Sequence, residues 1–137
     1  MSSGTVPSTD GNRGTAAGAA AAEQERQFHE MLERCPAAIL IVDEDGRLLF
    51  HNAPLRELLG YSKDELQLIE TSRFWNDLEQ RARIIQSLRE KGGQLIDERV
   101  IWRAKSGKPV HLLLSYVQVA YQGGHIGFAG AKRVFWV

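Results

Sequence analysis

The sequence predicts an α+β fold. We expect one five-stranded antiparallel sheet, with short helices and one longer helix over one face, and an amphipathic helix at the N-terminus. Two observations predict it: β-rich segments form an early hairpin and a late group of three, and helical patterns fill the chain between those groups. An antiparallel sheet needs a cover for its apolar face, and the helices between the second and third strands would supply it.

Size and charge exclude several classes of protein. The chain has 137 residues, enough for one domain with a core, and its 17 basic and 17 acidic side chains balance to zero net charge. Nucleic-acid-binding domains usually carry a basic excess, so no nucleic-acid partner is expected. A single cysteine, Cys35, excludes an internal disulfide and fits a cytoplasmic location. No apolar run approaches the roughly 18 residues of a membrane-spanning helix, so no membrane insertion is expected.

The first part of the chain has a composition of its own. Residues 1–22 consist mainly of Gly, Ser, Thr and Ala, with almost no large side chain. Such a segment buries too little apolar area to offset its ordering entropy, which predicts a disordered leader or a linker. The Ala tract could also extend the next helix backward. The predicted domain covers residues 23–137.

That domain begins with an amphipathic helix, which Pro36 ends. Phe28, Met31 and Leu32 fall on one stripe of this helix. The stripe could pack on its own domain or form the interface of a homodimer, and the pattern favours neither.

A hairpin and a series of helices follow. "AILIV" and "RLLF" flank the turn "DEDG" and predict the hairpin. Asn52 then begins a short helix that Gly60 ends, and Ser62 and Glu65 have the spacing of a capping box for the next one. The clearest helix, the longer one over the sheet, is predicted over 77–91.

The rest of the chain splits at "KSGK" and "QGG" into three antiparallel strands joined by hairpins. A helix cluster over a curved sheet leaves a cavity, a common place for a ligand. Strict alternation turns Glu98 inward on the third strand, where its carboxylate must be paired, or stay neutral, or reach water at the strand end. The predicted ligand pocket comprises Leu58, Ile84, Ile85, Leu88, Ile96, Glu98, Val100, Trp102, Leu112, Leu114 and Tyr116.

Two stretches carry a family resemblance over about residues 24–137. "DEDGRLLFHNAPLRELLGYSKDEL" resembles the D-x-x-G-x-x-x-x-x-N region of PAS domains with its following L-x-G-Y-S-x-x-E-L, and "GGQLIDERVIWRAKSGKPVHLLLS" resembles their K-D-G strand pair. The matching signature positions are Asn52, Gly60, Tyr61 and Gly107. Ser106 stands where Asp is usual.

The resemblance implies a sensory domain of signal transduction, as in two-component signalling. Such a domain would bind a small ligand or dimerise, and would relay a conformational signal to an effector in cis, such as a histidine kinase or a cyclic-nucleotide enzyme. The alternative is a ligand-free structural dimerisation module with a filled core. The family's Asp-Ile-Thr exit motif is absent and the chain ends in "RVFWV", which leads us to expect a fragment of a larger signalling protein.

The residues predict neither an enzyme nor a metal site. The histidines at 29, 51, 111 and 125 lie in no metal-binding motif, and there is no C-x-x-C. His51, the last residue of the hairpin, is expected to be structural or solvent-facing.

The resemblance also bears on cofactors. Haem-binding members place an axial histidine on the long helix, and residues 77–91 contain none, which disfavours haem. Light-sensing flavin members need a cysteine in a stretch like N-C-R-F-L-Q, whereas "TSRFWND" stands here, so a flavin–thiol photoadduct is excluded. A non-covalently bound small molecule remains open, because Trp75 or Trp102 could stack on a ring or simply pack in the core.

Overall fold

The computed structural model describes residues 5–135, with side chains from residue 16 onward. It divides into two units, Met1–Glu33 and Arg34–Val137. No helix in the described part of the chain is both long and apolar enough to span a membrane.

A single helix, α1, spans Thr5–Arg34. Residues 5–22 are therefore helical, which differs from the predicted disordered leader, while residues 1–4 lie outside the described part. The physical reason is the Ala tract, since Ala has the highest helix propensity and extends the helix backward as the composition allowed. A linker role for this segment stays a prediction.

Five strands follow in the second unit. They are β1 Ala38–Val42, β2 Leu48–His51, β3 Gln94–Arg103, β4 Pro109–Tyr121 and β5 Gly124–Arg133. The spatial order is β2-β1-β5-β4-β3, and every neighbouring pair is antiparallel. This confirms the predicted five-stranded antiparallel sheet.

The helices between β2 and β3 are α2 Ala53–Leu59, α3 Lys63–Gln67, a 3₁₀ helix Thr71–Phe74 and α4 Leu78–Glu90. They cover one face of the sheet and form its core. Fully buried side chains from both layers make up the centre of that core: Leu55, Leu59, Leu66, Phe74, Val100 and Leu112.

The local signals that start and end these helices act as the sequence indicates. Gly60 has a φ of 78° at the end of α2, a left-handed conformation that favours glycine. Ser62 accepts a hydrogen bond from the Glu65 backbone N–H, and the Glu65 carboxylate accepts one from the Ser62 N–H, which completes the capping box. Asp77 caps α4 by accepting from the N–H of Glu79.

Asn52 joins the start of α2 to the start of β1, and it is completely buried. Its Oδ1 accepts from the N–H of Ile39 at 2.9 Å and from that of Leu55 at 3.2 Å. Its Nδ2 donates to the carbonyl of Ala37 at 2.8 Å. One side chain thus satisfies backbone groups of a strand, a helix and the segment before the strand.

Strict alternation is wrong in the first half of β3. Ile96, predicted to face inward, is 68% exposed, whereas Leu95, predicted to face outward, is 2% exposed. The register with β4 shifts between Leu95 and Glu98, and Asp97 in between has a φ of 51°. One extra residue on β3 forms a β-bulge that turns Ile96 outward.

The turn between β3 and β4 is tied to the helices. The Lys105 N–H donates to the carbonyl of Leu59 at 2.8 Å, and its ammonium pairs with the Glu65 carboxylate at 2.5 Å. This ammonium, and after it the hydrogen bond from the Ser62 backbone, lowers the pKa of the Glu65 carboxyl from 4.5 to about 2. Gly107, at a φ of 90°, completes the turn.

We expect Asn52→Ala to be strongly destabilising. The variant loses a helix cap, worth about 1 kcal/mol, and leaves buried groups of β1 without a partner, at about 1–3 kcal/mol, so the free energy of unfolding should fall by about 3 kcal/mol. Urea denaturation measures it. Asp77→Ala is the control, because it removes only an exposed cap and should cost about 1 kcal/mol. Equal losses in the two variants would contradict the joining role of Asn52.

Glu65→Gln should flatten the acid side of the stability curve. The folded carboxyl binds its proton less tightly than the unfolded one, so its contribution is complete above pH 4.5 and is lost as the pH falls towards 2. Gln preserves the capping box, so the variant lacks only this titration. When the pH is lowered from about 6 to about 2, the urea concentration at the midpoint of unfolding should therefore fall less for the variant than for the wild type. Lys105→Gln removes the main cause of the shift and should flatten the curve too; parallel curves would rule the effect out.

Candidate functional site

A cavity of ≈ 590 Å³ lies between the sheet and the helices of the second unit. This volume falls within the range of small-molecule sites. Its apolar lining comes from β1, the 3₁₀ helix and its next residue, α4 and the three later strands: Leu40, Val42, Phe74, Trp75, Ile84, Ile85, Leu88, Trp102, Leu114 and Ala129. Its polar lining comprises Asp43, Glu44, Thr71, Arg81, Arg89, Tyr116 and Gln118.

The cavity brings together part of the predicted pocket. The predicted residues that line it are Ile84, Ile85, Leu88, Trp102, Leu114 and Tyr116. Those that do not are Leu58, Ile96, Glu98, Val100 and Leu112.

Each of these five residues lies outside the cavity lining for a physical reason. Val100 and Leu112 have no exposed surface and belong to the solid core, where α2 and the 3₁₀ helix fill the space. Leu58 packs against that core. Ile96 points outward because of the bulge, and Glu98 forms an ion pair with Lys91 at 3.2 Å. This ion pair satisfies the requirement that an inward carboxylate be paired.

Aromatic rings form one wall of the cavity. The Trp102 ring lies 5.8 Å from that of Phe74 and 5.9 Å from that of Trp75, centroid to centroid. Tyr61, one of the signature positions, extends the cluster through Phe74 at 6.3 Å. Trp75 and Trp102 therefore both pack on each other and line the cavity, so the two interpretations of these residues are compatible.

Tyr116 lies across β5. A Cβ built on Gly127 would overlap the Tyr116 ring, so the ring takes its position only because residue 127 has no side chain. Burial raises the pKa of the Tyr116 hydroxyl, which keeps it protonated and able to donate. Among the described residues this hydroxyl has no hydrogen-bond partner.

Sequence reasoning missed the charged lining, although a signal for it exists. Arg81 precedes Ile84, Ile85 and Leu88 by three, four and seven residues, and Arg89 follows Ile85 by four, so both arginines fall on the same helical stripe. The rule that apolar residues mark the inner face of a helix does not predict charged residues there. Thr71 gives no comparable sequence signal; its hydroxyl donates to the carbonyl of Gly46 at 2.7 Å, which places it at the β1–β2 turn.

His51 lies outside the cavity and is 8% exposed. The Arg56 guanidinium lies 2.9 Å from its Nδ1 and donates to its carbonyl at 3.0 Å. Arginine can only donate, so Nδ1 accepts and the ring proton is on Nε2. His51 is structural, as expected, and the solvent-facing alternative is wrong because the guanidinium and the fold enclose the ring.

No group of three or more His, Cys, Asp or Glu side chains within residues 16–135 could hold a metal ion. The 3₁₀ helix "TSRF" supplies Thr71 and Phe74 to the cavity and contains no thiol, while Cys35 precedes β1. The expectations against haem and a flavin–thiol photoadduct remain predictions from the sequence.

A scan against family models matches the PAS fold over residues 26–133. The chain belongs to the PAS family. Comparison with curated proteins finds no match. The signature motifs and the strand order described above thus agree with the family match.

Solved PAS structures share this fold. One is the PAS domain of a two-component sensor histidine kinase, at a TM-score of 0.71 and 16% identity, covering 82% of this chain and 99% of that one. Another is the PAS domain of an HTR-like protein from Haloarcula marismortui, at a TM-score of 0.64 and 19% identity, covering 88% of this chain and 99% of that one. A Rhodobacter sphaeroides LOV protein matches at a TM-score of 0.67 and 15% identity, covering 82% of this chain and 67% of that one. At these identities the likeness extends to the fold alone.

Proposed function

We propose that this PAS domain binds a small molecule non-covalently in its cavity and relays the occupancy to an effector domain in cis, such as a histidine kinase or a cyclic-nucleotide enzyme. One observation carries the proposal. Protein interiors hold few voids larger than a water molecule, whereas this cavity measures ≈ 590 Å³. That space favours a ligand over the alternative of a dimerisation module with a filled core.

The cavity also suggests how occupancy could become a signal. Ile84 and Leu88 contribute from α4, while Leu40, Leu114 and Tyr116 contribute from the sheet. A ligand that touches both layers has an affinity that depends on their separation. It would shift the equilibrium between two arrangements by its difference in affinity for them.

In this proposal the domain acts as a homodimer. Phe28 is 54% and Met31 63% exposed on α1, with Leu32 half-buried beside them, and an exposed apolar stripe of this kind suits a partner helix. The domain performs no catalysis of its own, and it acts in the cytoplasm as part of a signalling protein. PAS domains serve in sensor kinases, and one solved relative carries that description.

Filling the cavity should abolish binding. Ile85→Trp adds a large ring to the α4 side of the cavity, so ligands that raise the melting temperature of the wild type should no longer do so. Ile96→Trp is the matched control, because it makes the same change at a position 68% exposed outside the cavity. Thermal shift across a metabolite panel, native mass spectrometry and an absorption spectrum give the readout. No adduct, no visible band and no thermal shift for the wild type would favour the scaffold alternative.

Charge on the α1 stripe should dissociate the dimer. Phe28→Glu together with Met31→Glu places two carboxylates at the proposed contact, where burial without a partner is unfavourable. Light scattering should report two chains for the wild type and one for the variant. Leu68→Glu, at a site 88% exposed, should remain a dimer. A wild-type monomer at high protein concentration would refute the homodimer.

A further inference from the structure

The charged side chains that line the cavity differ in whether they form hydrogen bonds within the protein. The Asp43 carboxylate accepts from the backbone N–H groups of Asp45 and Arg47, both at 2.9 Å. The Glu44 carboxylate accepts from the backbone N–H of His125 at 3.1 Å, with the imidazole Nδ1 at 3.3 Å. Both acidic groups are therefore engaged within the sheet and its turns.

The two basic groups of the lining form no such hydrogen bonds among the described residues. The side chains of Arg81 and Arg89 line the cavity and, among the described residues, make no hydrogen bond and no ion pair. The two positive charges of Arg81 and Arg89 balance the two negative charges of Asp43 and Glu44, so the lining has no net charge. The two guanidinium groups are thus charged donors of the lining that the described part of the protein does not itself use.

Arg81 is the better placed of the two. A Cβ built on Gly46 would lie 3.5 Å from its Nη2 and 3.2 Å from the Thr71 hydroxyl, which places the guanidinium over the β1–β2 turn. Arg81 is half-buried, whereas Arg89 is exposed. An ionic contact is stronger where less water surrounds it, so Arg81 is the stronger anion site.

The rest of the lining sets the remaining chemistry of the ligand. From Arg81, α4 presents Ile84, Ile85 and Leu88 over about 12 Å to Arg89, and the Trp102 ring belongs to the same cavity. A ligand that pairs with Arg81 and also fills the cavity lays an apolar body along these side chains.

We propose that the ligand is an organic acid with an apolar body, and that its carboxylate pairs with Arg81; this rests on the proposed function of the cavity. A planar guanidinium matches a carboxylate through two parallel hydrogen bonds. The protonated Tyr116 hydroxyl, which lacks a protein partner among the described residues, supplies a further donor within the cavity. The site thereby selects for charge as well as for shape.

The test compares acids with their neutral amides: benzoate with benzamide, 2-naphthoate with 2-naphthamide, and decanoate with decanamide. Binding is followed by calorimetry and by the fluorescence of the cavity tryptophans in the wild type. Arg81→Gln is compared with Arg83→Gln, which makes the same charge change on the same helix at an exposed position outside the cavity. At least one acid should bind about tenfold more tightly than its amide, and Arg81→Gln, but not Arg83→Gln, should abolish that preference.

The outcomes separate the two proposals. If amides bind as well as the acids, or if Arg81→Gln leaves the preference intact, the assignment of an acid is overturned while the cavity remains a ligand site. If neither series binds and the wider metabolite panel also gives no shift, the proposed function fails together with the inference. Circular dichroism of both variants is the control for folding, and both spectra should match that of the wild type.

Discussion

The buried amide of Asn52 fixes the geometry on which the rest of the PAS domain depends. Its hydrogen bonds to Ile39, Leu55 and Ala37 hold the first strand and the first helix of the second unit in one relative position. Its own backbone N–H adds a bond to the carbonyl of Ile39 at 3.3 Å. Because a buried polar group without a partner is costly, β1 and α2 cannot shift separately. At the opposite end of the hairpin, the Thr71 N–H donates to the carbonyl of Gly46 at 3.1 Å and ties the β1–β2 turn to the 3₁₀ helix.

The cavity follows from how α4 is attached. No residue of α4 is buried, and polar bonds hold the helix at its two ends. At its start the Gln80 side chain accepts from the Ile101 N–H at 2.9 Å, and just past its end the carbonyl of Gly93 accepts from the Gln118 N–H at 2.8 Å. A helix that is fixed at its ends and, among the described residues, packs on the core through Ile84 alone leaves space beneath it. Hydrogen bonds at the two ends, together with this sparse apolar packing, therefore keep the cavity open.

The sequence indicates those parts of this structure that depend on local chemistry. Caps at Asn52, Ser62 and Asp77, the glycine that ends α2, and the strand boundaries each follow from a few neighbouring residues, and each agrees with the structure. The inward face of β3 was wrong at Ile96, because a single inserted residue reverses the alternation and period-two patterns carry no sign of it. Alternation predicts Val100 and Leu112 in the cavity, because it identifies an inward face but not whether a helix fills the space above it.

The charged lining of the cavity likewise depends on tertiary packing, which apolar sequence patterns do not reveal. A half-buried arginine on the inner stripe of a helix is an exception to the rule that apolar residues mark the inner face. Arg81 is tolerated there because it faces the cavity and is only half-buried, so its charge keeps contact with water. The loosely packed helix and the unpaired guanidinium are thus one feature. An element with few packing contacts is the least stable part of a fold, so a ligand that supplies those contacts acts on the element most easily shifted.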